Sequence, residues 1–305
     1  MLRGILAMKK YQVDLLLMSQ KGVNALLGCI KFIDRIDFRI YVGSDRAVVE
    51  DYSSQIIELC KKHDLKYKIT NKYAPTRADF VVACAWRWLV DVDASRLVIF
   101  HDSLLPKYRG FSPLVNMLIN GERELGVTVL EGAKAYDEGG IYLQRKIVIE
   151  YPIKVAVAID MISALYRDLA SEFLSDLFSD KLKATPQNCA EASYSVWRDE
   201  KDYSIDWSLS AEEICRFVDS VGYPYRGARA IVDKNCYLLV HSGKVYPDQK
   251  MEVRHCGKII FFKDSCPVVI CGHGLLKLVD FKYFTNNTHN NTLPFRTRFV
   301  NYERL

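Results

Sequence analysis

The sequence predicts an α/β fold, a doubly wound parallel sheet followed by a small β-rich, barrel-like domain. Three observations carry this. Over the first hundred residues short apolar runs alternate with helically spaced segments, which implies parallel strands with both sheet faces covered. After Gly222 the chain turns to five or so short strands and turns, the pattern of a small β barrel. The length of 305 residues, at about 100–200 per domain, allows two domains that each bury a core. The expected division is 1–185 and 186–305, with the boundary at Thr185-Pro186-Gln187-Asn188.

Val13 to Met18 reads as a strand, and Val23, Leu26, Leu27 and Ile30 have the spacing of one helix face. Phe38 to Val42 is strand-like, Val48 to His63 helix-like and Tyr67 to Thr70 strand-like. Phe80 to Ala85 reads as a buried strand, and Arg96 to Phe100 makes another. Pro113 suits the first turn of a helix over Ser112 to Asn120. Val127 to Leu130 and Ile141 to Ile149 are strands flanking the loop Gly132 to Gly140, and Val157 to Phe178 is a long amphipathic helix. Ser210 with Glu213 three residues on has capping-box spacing and opens a helix to Val221. Tyr237 to His241, Lys258 to Lys263, Pro267 to Cys271 and Leu275 to Phe281 are the strands of the second domain.

Composition narrows the function. Half the residues are hydrophobic and 26% are charged, ordinary for a globular protein. Lys and Arg number 42 against 37 Asp and Glu, a net +5. Residues 201–305 hold 15 basic and 11 acidic side chains, a mild bias that attracts phosphates but falls short of the dense stripe that grips a nucleic-acid backbone. Nine cysteines, an odd number without a CxxC pair, read as reduced thiols in a cytoplasmic protein. Cys256, Cys266 and Cys271 lie near His255 and His273, but without a short ligand pair no metal is expected. There is no membrane-length apolar run. Met8 could be the natural start, and the sequons at Asn286 and Asn290 carry no meaning in a chain that is not secreted.

In doubly wound sheets ligands bind at the carboxyl ends of strands. Two loops stand there, Ala85-Trp86-Arg87-Trp88 and His101 to Gly110. His101 alone among the six histidines follows a buried strand at this edge. Asp137 lies in Tyr136-Asp137-Glu138-Gly139-Gly140, a loop whose glycines allow close backbone approach. By pattern alone it is a turn residue before glycine. Paired to His101 it would orient the imidazole as a general base.

His101-Asp102-Ser103-Leu104-Leu105-Pro106-Lys107-Tyr108-Arg109-Gly110, then Asn120-Gly121-Glu122, Gly126-Val127-Thr128 and Asp137-Glu138-Gly139, together resemble the folate-dependent formyltransferases. The resemblance continues through Trp197-Arg198, Ile205-Asp206-Trp207-Ser208, Ala211 to Ile214 and Pro224 to Ala228, segments similar to the second-domain signature of the tRNA and sugar branches. It covers about residues 13 to 230, and the single-domain purine enzyme is a poor match. Trp86-Arg87-Trp88 and Pro224-Tyr225 are more similar to the nucleotide-sugar N-formyltransferases than to methionyl-tRNA formyltransferase.

The resemblance implies a Rossmann-like formyl-transfer domain, N10-formyltetrahydrofolate as donor, and the amine of a nucleotide-linked, dTDP-type deoxyamino sugar as acceptor, for surface polysaccharide (lipopolysaccharide O-antigen) synthesis. It implies His101 and Asp137 as catalytic residues. The folate would lie along Trp86, Trp88 and Leu89, with Leu104, and along Ala133, Lys134, Tyr136 and Asp137. Lys107, Tyr108 and Arg109 are candidates for substrate phosphate or the folate glutamate, and Arg109 is the better diphosphate fork. Tyr223 and Tyr225 are candidate substrate contacts. A homodimer is a candidate assembly; residues 236–305 could equally bind a second ligand or support the linker.

The sequence departs from the family at Ile99, where the family carries an Asn that donates to the oxyanion. An Ile cannot donate, so either the His101 imidazolium, a backbone N–H or Asn116 substitutes, or turnover is reduced. Two other functions stay open: methionyl-tRNA formylation, and a folate or nucleotide-sugar binder that has lost the chemistry.

Overall fold

In the computed structural model, which describes residues 10–46, 48–285 and 293–301, the first apolar run forms β1 (Tyr11–Leu17), buried from Val13 onward because it lies inside the sheet. Helix α1 (Ser19–Cys29) follows, then β2 (Ile36–Val42), α2 (Ser53–Lys62), β3 (Lys66–Ile69), β4 (Phe80–Cys84) and β5 (Leu97–His101). These five strands pair in parallel in the order β3-β2-β1-β4-β5.

The sheet is not parallel throughout. β7 (Glu124–Glu131) and β8 (Ile141–Val148) extend it beyond β5 and run antiparallel. The connection between β5 and β7 passes through the two-residue β6 (Arg109–Gly110) and α3 (Pro113–Asn120), and β8 returns from β7 as a hairpin. Helix α4 (Val155–Phe178) packs on α1 and covers one face with Ile162, Tyr166, Leu169 and Phe173.

Helix α2 begins five residues later than its periodicity suggests. Tyr52 takes a left-handed φ of +60°, and the Asp51 carboxylate accepts the Ser53 N–H at 3.0 Å, which fixes the start. The capping box is formed: Glu213 Oε2 accepts the Ser210 N–H at 2.8 Å and Ser210 Oγ accepts the Glu213 N–H at 3.2 Å, opening α5 (Ala211–Ser220).

Between α4 and α5 the chain lays a two-residue strand, β9 (Tyr194–Ser195), parallel to β6. Beyond α5, five antiparallel strands take the order β10-β11-β14-β13-β12: β10 (Ala228–Asp233), β11 (Cys236–Tyr246), β12 (Ile259–Lys263), β13 (Cys266–Ile270) and β14 (Leu275–Thr285). The last described segment spans the two edges. Val300 donates to Ile231 of β10 at 2.8 Å, and Thr297 accepts from Ile259 of β12 at 3.2 Å. The sheet is thus barrel-like, closed by single-residue bridges rather than by a full strand.

No described helix is long and apolar enough to cross a membrane. Among the described residues no three His, Cys, Asp or Glu side chains form a metal cage, and all nine cysteines are free thiols. Met8, Asn286 and Asn290 lie outside the described residues.

Candidate active site

His101 is the last residue of β5 rather than the first of the loop after it. Its neighbours β4 and β7 hold it at the carboxyl edge of the sheet, with Thr128 opposite. The turn that follows is fastened to the antiparallel hairpin. Thr128 Oγ1 donates to the Ser103 carbonyl at 2.7 Å and accepts the Leu105 N–H at 3.2 Å, while Gln144 Nε2 donates to the Leu105 carbonyl at 3.0 Å. Leu104 lies against Gly126 so closely that a Cβ there would overlap it.

Asp137 reaches the same place from the β7–β8 loop. Its Oδ2 stands 3.5 Å from His101 Nδ1 and accepts the Gly110 N–H at 2.8 Å. Asp137 adopts φ +57°, a conformation unusual for a side-chain-bearing residue. The ring's other nitrogen, Nε2, lies 2.8 Å from the Tyr108 carbonyl. Only 7% of His101 is exposed, so the imidazole and its carboxylate sit below the surface.

Asp102, the next residue, faces the opposite way. It pairs with Lys21 in the first turn of α1 and accepts the Tyr166 hydroxyl at 2.6 Å; Tyr166 also reaches the Phe100 carbonyl at 3.0 Å. Burial, the largest single influence on Lys21, weakens its hold on the proton, but the Asp102 charge, the neighbouring Tyr225 and the hydrogen bond to Asp102 together outweigh it, and the ammonium is held above its ordinary value. Burial and the Asp102 charge push the Tyr166 hydroxyl well up. Tyr225, from the second domain, is also raised by burial and lies in the field of Lys21 and Asp102.

The remaining expected site residues divide. Trp86 and Trp88 meet edge to face with ring centroids 4.9 Å apart, and Trp86 Nε1 is a buried donor without a partner. Leu89 is 81% exposed, and Ala133, Lys134 and Tyr136 are exposed on the Asp137 loop. Lys107 is exposed. Tyr223 is exposed with its hydroxyl 3.5 Å from Glu50. The Tyr108 side chain turns away, donating to Glu122 at 2.7 Å and accepting from Asn120 at 3.0 Å, so only its carbonyl reaches His101.

Two expectations are corrected. Arg109 is not a free diphosphate fork: it is 1% exposed, and its guanidinium is spent on Gln187 at 2.9 and 3.2 Å and on Glu138 at 3.1 Å. Asn116 is not a free oxyanion donor, because its amide donates to the Ser112 and Val196 carbonyls and its oxygen accepts from Arg198 at 3.2 Å. Ile99 shares a strand face with His101 by the two-residue period, so an apolar side chain stands where a donor is wanted.

Lys21, Tyr166 and Gln187 escaped the sequence reading. Lys21, polar at the start of an otherwise apolar helix face, was the one signal available for them. A cavity of about 340 Å³ opens beside the loop, lined by Phe111, Tyr136, Tyr194 and Trp197 over Arg109 and Glu138. Neither His101 nor Asp137 lines it, but Gly110, whose N–H binds the Asp137 carboxylate, does, and so do Tyr136 and Glu138 on either side of Asp137.

Comparison with known proteins bears on this geometry. Residues 44–157 match the family described as Formyl transferase, and residues 199–288 match its C-terminal domain. A methionyl-tRNA formyltransferase of Streptococcus equi is 32% identical over 179 residues, 58% of this chain and 55% of the relative. The chain thus spans little more than half the length of that curated relative. Among solved structures, an N-formyltransferase from Helicobacter canadensis in complex with folinic acid and dTDP-3-aminofucose superposes with a TM-score of 0.67 at 14% identity, covering 89% of this chain and 99% of that one. WlaRD, a sugar 3N-formyl transferase in the presence of dTDP and 5-N-formyl-THF, gives 0.64 at 14%, covering 92% and 99%. At that identity the likeness is one of fold.

Proposed function

Because this chain belongs to the formyl transferase family, we propose that it moves a formyl group from N10-formyltetrahydrofolate to the amine of a nucleotide-linked, dTDP-type amino sugar. The observation that carries the chemistry is the convergence of His101 and Asp137 at 3.5 Å, from segments 36 residues apart, at the carboxyl edge of the sheet. An ammonium has no lone pair, so the acceptor must lose a proton before its nitrogen attacks the formyl carbon.

In this reading His101 takes that proton. Asp137 holds the ring through Nδ1 and favours the imidazolium that results. The acceptor amine displaces the Tyr108 carbonyl at Nε2, since both ring nitrogens otherwise face protein oxygens. The amine nitrogen adds to the formyl carbon and puts the negative charge on the formyl oxygen; as the carbonyl re-forms, the bond from that carbon to N10 breaks, and the tetrahydrofolate nitrogen leaves with the second proton shed by the acceptor nitrogen. With Ile99 unable to donate and Asn116 engaged elsewhere, the protonated His101 is the donor we assign to the developing oxyanion; such a donor is worth about 10²–10³ in rate. The Trp86–Trp88 pair, with its unpartnered indole N–H, and the exposed residues Leu89, Ala133, Lys134 and Tyr136 suit the flat donor. Lys107, Tyr223 and Tyr225 are assigned to the acceptor side. We retain 1–185 as the formyl-transfer domain and 186–305 as linker helix and barrel-like domain.

The sugar acceptor is supported by the higher TM-scores with sugar N-formyltransferase folds, 0.67 and 0.64 against 0.57 for a methionyl-tRNA formyltransferase from Clostridium thermocellum, and by the weak positive balance of the last third. The sequence relatives named for methionyl-tRNA favour a second reading, formylation of charged initiator tRNA. Incubation with N10-formyltetrahydrofolate and either a panel of dTDP-amino sugars or charged initiator tRNA separates them. A mass gain of one formyl group on an amino sugar supports the first reading. A gain on methionyl-tRNA alone replaces it with the second, and that complex would weaken steeply with salt.

A further inference from the structure

We infer that Gln187, in the segment joining the two domains, is a positioning residue that sets the orientation of Asp137; this rests on the catalytic role proposed above for that carboxylate. The Asp137 loop is gripped at three consecutive residues. Gln187 Nε2 donates to the Asp137 carbonyl and to the Gly139 carbonyl, each at 2.7 Å. Between them, Glu138 pairs with Arg109 at 3.1 Å. Gln187 Oε1 in turn accepts from Arg109 Nε at 3.2 Å and Nη2 at 2.9 Å.

The amide is the group this place requires. Its two donors face two carbonyls and its acceptor faces a guanidinium, so the identity of each terminal atom follows from the partners. A carboxylate would keep Arg109 but set an oxygen against two carbonyls. A left-handed φ at Asp137 persists only where the surroundings enforce it, and this clamp supplies the enforcement.

The same segment reaches Asp137 a second time. Ser195 of β9 pairs with Gly110, which has φ +98° and no room for a Cβ against the Ser195 carbonyl. The Gly110 N–H donates to Asp137 Oδ2. One stretch of linker therefore fixes both the backbone and the carboxylate of Asp137, and His101 reads its position from that carboxylate. The linker is a working part of the site rather than a tether.

The test compares wild type with Gln187→Glu, which keeps size and the Arg109 contact but removes both donors. Amide exchange at Gly110 is expected to accelerate about tenfold as the Asp137 contact loosens, and kcat for formyl transfer to fall about 10–100-fold, with KM for the acceptor within about twofold. In an Asp137→Asn background the same substitution is expected to cost almost nothing further, because the two act through one contact. Gln187→Asn, with the amide chemistry one methylene short, serves if the Glu variant does not fold, and should show the same exchange at smaller size. Unchanged Gly110 exchange, or losses that multiply in the double variant, would overturn the inference. If wild type formylates neither any sugar of the dTDP-amino sugar panel nor charged initiator tRNA, the proposed function falls, while the exchange comparison still decides whether Gln187 holds the loop.

Discussion

Buried charge separates the two halves of the molecule. Among the described residues, Asp14, Lys21, His101 and Arg109 are the buried acidic or basic side chains, and all four belong to the sheet domain; beyond residue 200 the buried polar side chains, thiols aside, are Ser220 and Thr297. Three of the four are tightly met. Asp14 accepts from Arg39 at 2.6 Å and from Tyr73 and Thr76 at 2.7 Å each, Lys21 pairs with Asp102, and Arg109 is saturated by Gln187 and Glu138. His101 alone has a carboxylate as far as 3.5 Å away. The difference teaches where the fold spends polar burial. Closely matched pairs lie inside the sheet at Asp14 and beside its carboxyl edge at Lys21 and Arg109, and the loosely matched one is the pair to which the proposed function assigns the proton transfer. The barrel-like domain is cored by Leu238, Val240, Leu276 and Leu278, and its ion pairs, such as Arg254–Asp248 and Lys277–Asp264, lie outside that core.

Replacing one partner of a tight pair should be the most damaging to stability. Lys21→Met leaves Asp102 partly buried without its cation, and breaking such a pair costs about 3–5 kcal/mol; denaturant unfolding measures it. A loss under about 1 kcal/mol would place Asp102 in water rather than in the pair. The pH dependence has a definite sign. Lys21 is raised in the folded state, so its contribution is fully present below its ordinary 10.5 and is lost as pH rises through the folded value.

The barrel-like domain should answer to size instead of charge. Trp207 is 1% exposed and stacks on Phe299 with centroids 5.3 Å apart. Trp207→Ala is therefore expected to cost about 3–5 kcal/mol through the cavity it leaves, while Trp207→Phe recovers most of it. If the loss is confined to the second of two unfolding transitions, the halves are separately stable; a single shared transition would make them one cooperative unit.

A smaller effect comes from the cap of α5. Ser210→Ala should cost about 1 kcal/mol. The Ser210 hydrogen bonds hold the Glu213 carboxyl below its ordinary 4.5, so this contribution is complete above that value and fades as pH falls through the folded one. Denaturant midpoints of wild type and variant should therefore converge in acid, and a constant gap would show that the carboxylate takes no part.

Much of this contrast was legible in the sequence. Alternating periods of two and 3.6 placed β1, β4, β5 and α4 because apolar spacing reports burial directly, and Ser210 with Glu213 marked a helix start because a cap is local. His101 stood out by its place after a buried strand, but its pairing with Asp137 was legible only through the resemblance, since their approach depends on the antiparallel turn of β7 and β8. The two-residue strands β6 and β9 carry no period at all, so Arg109 read as a fork for a diphosphate although its guanidinium is buried against Gln187, 78 residues on. Asp102 stood in plain view beside His101, yet its partner lies 81 residues away on α1, a distance no local pattern spans.

The central claim is that His101, oriented by Asp137, removes the proton from the acceptor amine. Formyl transfer from N10-formyltetrahydrofolate by wild type and by His101→Asn, with the folded state of each checked by its unfolding midpoint, tests it most directly. The expected result is a loss of about 10²–10⁴ in kcat at an unchanged midpoint. Equal turnover by the two proteins would contradict it.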